Sequence, residues 1–383
     1  MKKFYIYSFG CKVNRYETEL ISQKLKSGDY EIADTPQEAD AIIFNSCSVT
    51  NNADKECLYL IRKSLKLPQK PQIILTGCLA INKFQELKKL FPSIEVISDK
   101  KTLYLQPDNQ SIISFENHHR AFIKIQDGCN SFCSYCIVPY IRSQMWSKQP
   151  EAVLSEIENL VKNGYSEIVL TGIHIGKYEG GIAPLIEKIV KIPLDFRIRI
   201  SSIEINEIND YLLSLMKDYE NKICSHLHIP LQSGSGGILK LMNRQYASAV
   251  FENKIQKIAA MFKNIAITTD IIAGFPSETN AQHKETCDFI KRNPFSRLHI
   301  FRYSDRSGAK ASNFKNKVPP QEIKARSKEL LGIDKSKRKD FLTANTGSTR
   351  KAVSISPNAS LTDNYITISN AAYQKGIFDI KIE

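Results

Sequence analysis

The chain has 383 residues, 42% of them hydrophobic and 24% charged, with a formal net charge of +13. That length exceeds one average core and predicts two or three domains. No apolar run is long enough to span a bilayer. The opening MKKFYIYSFGCKVN is interrupted by Ser8 and Lys12, so it reads as a first β-strand of a cytoplasmic protein and not as a signal peptide. The positive surplus points to a polyanionic partner, of which nucleic acid is the commonest. It is concentrated from Lys310 to Lys351, where twelve Lys or Arg stand against four Asp or Glu.

In chain order, FYIYSFG (4–10), AIIFN (41–45) and QIILT (72–76) are short β-rich runs bounded by turn residues, as buried parallel strands should be. Helical patterns at 15–27, 50–66 and 81–91 separate them. This βαβ series predicts an α/β, flavodoxin-like parallel-sheet domain over 1–105. The segment 100–120, with its polar residues and His118–His119, reads as a linker. Strands are then expected at 121–126, 167–171, 197–201, 226–230, 266–272 and 297–303. Helices fit between them at 150–163, 181–192, 207–218, 247–261 and 279–293. Six β/α units are too few for a closed eight-fold barrel. A partial (β/α)6 barrel over 115–340 is expected, with its site at the C-terminal ends of the strands. After Pro319–Pro320 a helix runs to about Phe341, with Lys324, Lys328, Lys335 and Lys339 near one face. Three β-like runs, 352–356, 365–369 and 378–382, predict a small OB-like β-module over 341–383.

Nine cysteines occur, and a reducing cytosol argues against a disulfide framework. The sharpest signal is KIQDGCNSFCSYCIVPY, in which Cys129, Cys133 and Cys136 fall within eight residues. Thiolates are the ligands of iron–sulfur clusters, and three of them leave one iron free to bind a substrate. A structural zinc knot is the alternative. It would want a fourth Cys or His close by, and none follows. The second signal is topological. Cys11, Cys47 and Cys78 each follow a strand, in SFGC, FNSC and LTGC. In a parallel sheet those ends lie side by side, so three residues remote in sequence would converge. Three buried structural thiols are the competing account. Cys57, Cys224 and Cys287 lie away from both triads and read as packing residues.

The triad with its Tyr135–Cys136 neighbour resembles the signature of the radical S-adenosylmethionine superfamily. That resemblance implies a 4Fe-4S cluster chelating S-adenosylmethionine, which is cleaved to a 5′-deoxyadenosyl radical. The two triads together resemble the methylthiotransferase family across essentially the whole chain. There, an auxiliary 4Fe-4S cluster on the N-terminal triad supplies sulfur, and the C-terminal module is a TRAM-like RNA-binding domain. The implied cofactors are two 4Fe-4S clusters and S-adenosylmethionine. The implied partners are tRNA and an electron donor such as flavodoxin or ferredoxin.

Within the family, FGCKVNRYETE (9–19), LTGIHIG (170–176), LHIPLQSGS (227–235) and TTDIIAGFPSET (268–279) are similar to the branch that methylthiolates N6-threonylcarbamoyladenosine at tRNA position 37. Branches acting on isopentenyladenosine tRNA or on a ribosomal protein are the alternatives. The chain departs from the family in carrying Arg142–Ser143 where Arg-Gly is common. Thr171, Gly172, Ser202, Glu204, Gln232, Ser233 and Asp270 stand at or near strand ends, where the resemblance places cofactor contacts. Singly, each is equally an ordinary turn or structural polar group. His174, His226 and His228 could carry protons or be satisfied structural histidines. A threonylcarbamoyl substrate carries a carboxylate and needs a cationic partner, for which Arg15, Arg142 and Arg302 are candidates.

Overall fold

The computed structural model describes residues 2–28, 30–48, 51–103, 111–115, 120–369 and 371–383. Much of the expected linker, His118–His119 included, lies outside the described residues.

The N-terminal sheet contains β1 (Lys2–Ser8), β2 (Tyr30–Ile32), β3 (Ala41–Ser46), β4 (Gln72–Gly77) and β5 (Glu95–Val96). All pairings are parallel, in the order β2-β1-β3-β4-β5. Helices α1 (Lys12–Lys26), α2 (Asn51–Ser64), α3 (Cys78–Asn82) and α4 (Phe84–Leu90) connect them. Every residue of β3 is buried, as a central parallel strand covered on both faces must be. The short edge strands β2 and β5 went unpredicted, because neither carries an apolar run of its own. Helix α1 begins at Lys12, earlier than its pattern suggested. Cys11 stands at its N-cap position without a side-chain cap bond.

The second unit comprises β6 (Ala121–Asp127), α5 (Val138–Ile141), β7 (Trp146–Ser147), α6 (Pro150–Lys162), β8 (Glu167–Gly172), α7 (Ile182–Val190), β9 (Arg197–Ile200), α8 (Asp210–Asp218), β10 (His226–His228), α9 (Gly236–Leu241), α10 (Ser248–Met261), β11 (Ala266–Ala273), α11 (Asn280–Arg292) and β12 (Arg297–Arg302). Strands β6, β8 and β9 pair in parallel, as do β10, β11 and β12. Isolated bridges Ile198↔Ile223 and Ser202↔His228 join the two sets. The six parallel strands thus curve into the expected partial barrel, with β7 as an antiparallel extension beside β6. The largest apolar cluster fills this unit and also takes in Tyr16, Leu20 and Ile21 of α1. The N-terminal sheet is therefore joined to the barrel by shared core.

The long helix α12 (Pro320–Asn345) follows, with Lys324, Lys328, Lys335 and Lys339 all exposed. Four antiparallel strands then form a sheet: β13 (Thr349–Ser356), β14 (Ala359–Thr362), β15 (Thr367–Ser369) and β16 (Phe378–Lys381), in the order β15-β14-β13-β16. The sequence predicted three strands in a small OB-like β-module. The structure has a fourth, ASLT, too short and polar to be read as one. Among the described residues the sheet is open, with β15 and β16 as its edges. Its attachment is polar. Glu167 binds Arg197 and Arg199, and these arginines donate to the carbonyls of Lys351, Leu361, Thr362 and Asp363 at 2.8–3.0 Å.

Candidate active site: two cysteine triads joined by a buried ion network

Cys11, Cys47 and Cys78 lie just beyond the C-terminal ends of β1, β3 and β4, three adjacent strands. The register Ser46↔Gly77 sets Cys47 and Cys78 abreast. Gly10 and Gly77, at φ +85 and +90, make the sharp exits that turn these cysteines into the crevice. A Cβ at Gly10 would collide with the Cys47 side chain. Asn14, fully buried, ties two of the loops together. Its Nδ2 donates to the carbonyls of Phe9 (3.0 Å) and Ser46 (2.8 Å). Burial raises the Cys11 thiol pKa, partly offset by Arg142 and reinforced by Cys78. Cys11 and Cys78 are thus within electrostatic reach of one another.

The second triad lies in the loop after β6. Burial pushes the Cys136 thiol to about 12, with Cys133 and Cys129 adding to the effect. Cys129 is different. Burial opposes ionisation there too, but hydrogen bonds from His174 and Ser131 outweigh it and lower the pKa. His174 Nδ1 lies 3.5 Å from Cys129 Sγ and 3.2 Å from Ser131 Oγ, and its Nε2 lies 2.5 Å from Glu207. These partners overcome burial and raise His174 to about 9. Gln126 fixes the loop by donating to the carbonyls of Asp127 and Gly128 and accepting from His174 N–H at 2.7 Å. Arg244 reaches Cys133 Sγ and Tyr135 Oη, both at 3.4 Å, while its other nitrogen binds Glu204.

Arg142 links the two sites. Its carbonyl accepts from Cys129 N–H at 3.2 Å. Its guanidinium donates to Asn14 Oδ1 (3.1 Å), to both oxygens of Glu17 (3.1 and 3.0 Å) and to both of Asp127 (2.8 and 2.9 Å). Lys124 also binds Glu17 and Asp127, at 3.0 and 3.1 Å. Arg142, Glu17 and Asn14 are all buried. Arg142 is therefore committed to holding the triads in register, and the idea that it pairs with a substrate carboxylate is corrected accordingly.

Of the strand-end residues, Glu204 joins the Cys133 loop through Arg244. Gln232, at φ +68, donates its N–H to the Asp270 carbonyl at 2.7 Å. The Asp270 carboxylate lies 3.3 Å from His228 Nε2. Gly172 packs so closely on the Gln126 carbonyl that a Cβ would reach 2.9 Å. Thr171 and Ser233 are buried and Ser202 is exposed. Glu207, Arg244, Gln126 and Glu17 escaped the sequence reading. His174 reads there as a proton carrier or a satisfied structural histidine, and nothing local marks Cys129 as its partner. Cys57 is buried as a packing residue, and Cys224 is buried with its Sγ donating to Glu167 Oε2 at 3.7 Å. Cys287 is buried too, although polar contacts surround it: His283 Nε2 lies 3.5 Å from its sulfur and 3.0 Å from Glu329.

The donor spacing tests which metal centre each triad suits. A single tetrahedral zinc would draw thiolate sulfurs to about 3.8 Å of one another, from a Zn–S bond of about 2.3 Å. Among the described residues, only His283, Cys287 and Glu329 gather three ligand atoms within 4.8 Å. Neither cysteine triad is that tight, so neither is gathered around a single tetrahedral ion.

Residues 3–99 match the family described as uncharacterized protein family UPF0004, and residues 123–290 match the radical SAM superfamily. A Bacillus subtilis protein named threonylcarbamoyladenosine tRNA methylthiotransferase MtaB is 36% identical over 366 residues, covering 88% of this chain and 81% of the relative. The chain belongs to the radical S-adenosylmethionine methylthiotransferase family. Another relative of this methylthiotransferase, from Caldicellulosiruptor saccharolyticus, is named a tRNA-2-methylthio-N(6)-dimethylallyladenosine synthase and is 33% identical, covering 87% of this chain and 78% of that one. The fold is shared with the radical S-adenosylmethionine methyltransferase TsrM from Kitasatospora setae, at a TM-score of 0.57 and 11% identity, over 79% of this chain and 75% of that one. No described helix is long and apolar enough to cross a membrane.

Proposed function

We propose that this methylthiotransferase acts in the cytoplasm on tRNA, adding a methylthio group at C2 of N6-threonylcarbamoyladenosine at position 37. The observation that carries the reading is the buried Arg142–Asn14–Glu17 network, which sets one cysteine triad beside the other. Cys129, Cys133 and Cys136 would hold the 4Fe-4S cluster that, with S-adenosylmethionine bound, supplies a carbon-centred radical. Cys11, Cys47 and Cys78 would hold the second 4Fe-4S cluster as the sulfur donor. His174 and Arg244 place positive charge beside Cys129 and Cys133, favouring the thiolate forms that ligation requires. Thr171, Gly172, Ser202, Glu204, Gln232 and Asp270 would line the cofactor's place at the barrel mouth.

The roles divide along the chain as 1–105 for the auxiliary cluster, 115–340 for the radical chemistry and 341–383 for RNA. An electron donor such as flavodoxin or ferredoxin would reduce the radical cluster. The threonylcarbamoyl assignment rests on the SFGCKVNRYETE stretch and on the relative from Bacillus subtilis. Anaerobic reconstitution tests the cluster count. Two clusters give about eight irons per chain, and Cys11→Ala should lower that to about four. A value near four that Cys11→Ala leaves unchanged would remove the auxiliary cluster. Presenting purified enzyme with threonylcarbamoyl- and isopentenyl-bearing tRNAs, and with ribosomal protein, tests the substrate.

A further inference from the structure

Helix α11 carries the run HKETCDF, in which His283 and Cys287 stand four residues apart and so share one face. Both are buried, at 7% and 2% exposure. Glu329 meets them from α12. His283 Nε2 lies 3.5 Å from Cys287 Sγ and 3.0 Å from Glu329 Oε2. The three ligand atoms all fall within 4.8 Å of one another. They stand in the wall of a cleft of about 440 Å³ between the two helices.

Hydrogen bonding satisfies this trio only in part. One ring nitrogen cannot donate to Glu329 and accept from the Cys287 thiol in the same state. A cation accepts a lone pair from each of the three atoms at once. Bonds of about 2.3 Å to sulfur and about 2.0 Å to nitrogen and oxygen, at tetrahedral angles, set sulfur and nitrogen about 3.5 Å apart and nitrogen and oxygen about 3.3 Å apart. The observed separations match the first and come within a few tenths of an ångström of the second. Calcium and magnesium ask for oxygen throughout, whereas a thiolate, an imidazole and a carboxylate together suit zinc. The thiolate and the carboxylate balance its charge. Arg326 and Lys291 also line the cleft, but each faces carboxylates of its own. Arg326 binds Glu278 and Glu322 at 2.9 and 3.1 Å, and Lys291 lies 3.9 Å from Asp288. Lys284 is exposed, where water and salt screen it.

We propose that His283, Cys287 and Glu329 form a zinc site that braces α11 against α12, with its fourth position open to water in the cleft. The site uses none of the six triad cysteines and does not depend on the tRNA reading. It sits between two other ties of the same helix pair. Arg326 donates to Asn280 at 2.9 Å on one side, and Lys337 donates to the carbonyls of Lys291 and Asn293 at 2.7 Å on the other. Helix α12 leads from the barrel to the C-terminal sheet and carries the exposed lysines, so the metal would fix the direction in which both are presented.

The test uses full-length protein, reconstituted anaerobically and carrying its iron. It is dialysed against graded micromolar zinc sulfate, and zinc and iron per chain are measured on the same samples. Wild type should take up about one zinc per chain with no loss of iron. Cys287→Ser and Glu329→Gln should each weaken that uptake by at least the roughly 10- to 100-fold that losing an outer-shell partner costs. The Glu329 side chain is 56% exposed, so its replacement leaves the core undisturbed. Zinc should also slow amide exchange across α11 and the facing turns of α12 in wild type and leave Cys287→Ser unchanged. Zinc gained at the expense of iron would put the metal on the triads and overturn the proposal. Undiminished uptake by either variant overturns it too, as does wild-type protein that takes up no zinc or binds it without slower exchange in α11 and α12.

Discussion

The two cysteine triads are assembled by opposite routes. Cys129, Cys133 and Cys136 lie on one loop, so eight residues of local chain bring them together. Cys11, Cys47 and Cys78 come from three strands and meet only because β1, β3 and β4 are adjacent and parallel. The local triad draws its charge support from barrel residues far away in sequence, His174 and Arg244. The assembled triad is supported by Asn14, which bonds across the loops that carry Cys11 and Cys47. A site written into one loop tolerates strain in the surrounding sheet. A site assembled from strand ends fails when the sheet shifts register, since a slip of one residue reverses which side chains face the crevice.

The largest effect should come from separating the two chemically. Cys133→Ala should abolish reductive cleavage of S-adenosylmethionine, measured as 5′-deoxyadenosine release, whereas Cys47→Ala should retain cleavage and lose sulfur insertion. Normal methylthio product from Cys47→Ala would erase the distinction.

The next largest should come from the network shared by both. Glu17→Gln removes a carboxylate that faces Arg142 and Lys124 inside the protein, and breaking a buried pair costs about 3–5 kcal/mol. Chemical denaturation should show that loss. Iron retention should fall more at the N-terminal triad than at the local one. Equal losses at both would mean that the local loop is no more self-sufficient than the assembled site.

A smaller effect concerns the C-terminal sheet, which is held by charge and not by shared core. Burial alone would raise the Glu167 pKa. Arg199, Arg197 and Arg120 overcome it and hold the carboxylate well below its ordinary value of 4.5. A depressed pKa stabilises the fold fully above 4.5, and that stability is lost only as pH falls through the lower, folded value. Limited proteolysis should therefore find residues 349–383 equally protected from pH 8 to pH 5, with release well under 4.5. Release with a midpoint at or above 4.5 would show that this clamp does not hold the sheet. With the sheet docked, tRNA affinity should fall steeply as salt rises, because lysines such as those along α12 displace counterions from phosphate.

Much of this was legible in the sequence. The spacing of Cys129, Cys133 and Cys136, the recurrence of cysteine after three apolar strands, and the alternation that builds a partial barrel are all local patterns. Local chain geometry and hydrophobic period are enough to set them. Only the tertiary structure decided which groups serve those cysteines. Arg142 meets Asn14 and Glu17 across 128 and 125 residues, and the Arg197–Arg199 clamp closes over more than 150. No periodicity encodes such pairings. Burial selects them, because a charge removed from water must find its counter-ion wherever the fold brings one. The same rule left Arg142 occupied, held by Asn14, Glu17 and Asp127.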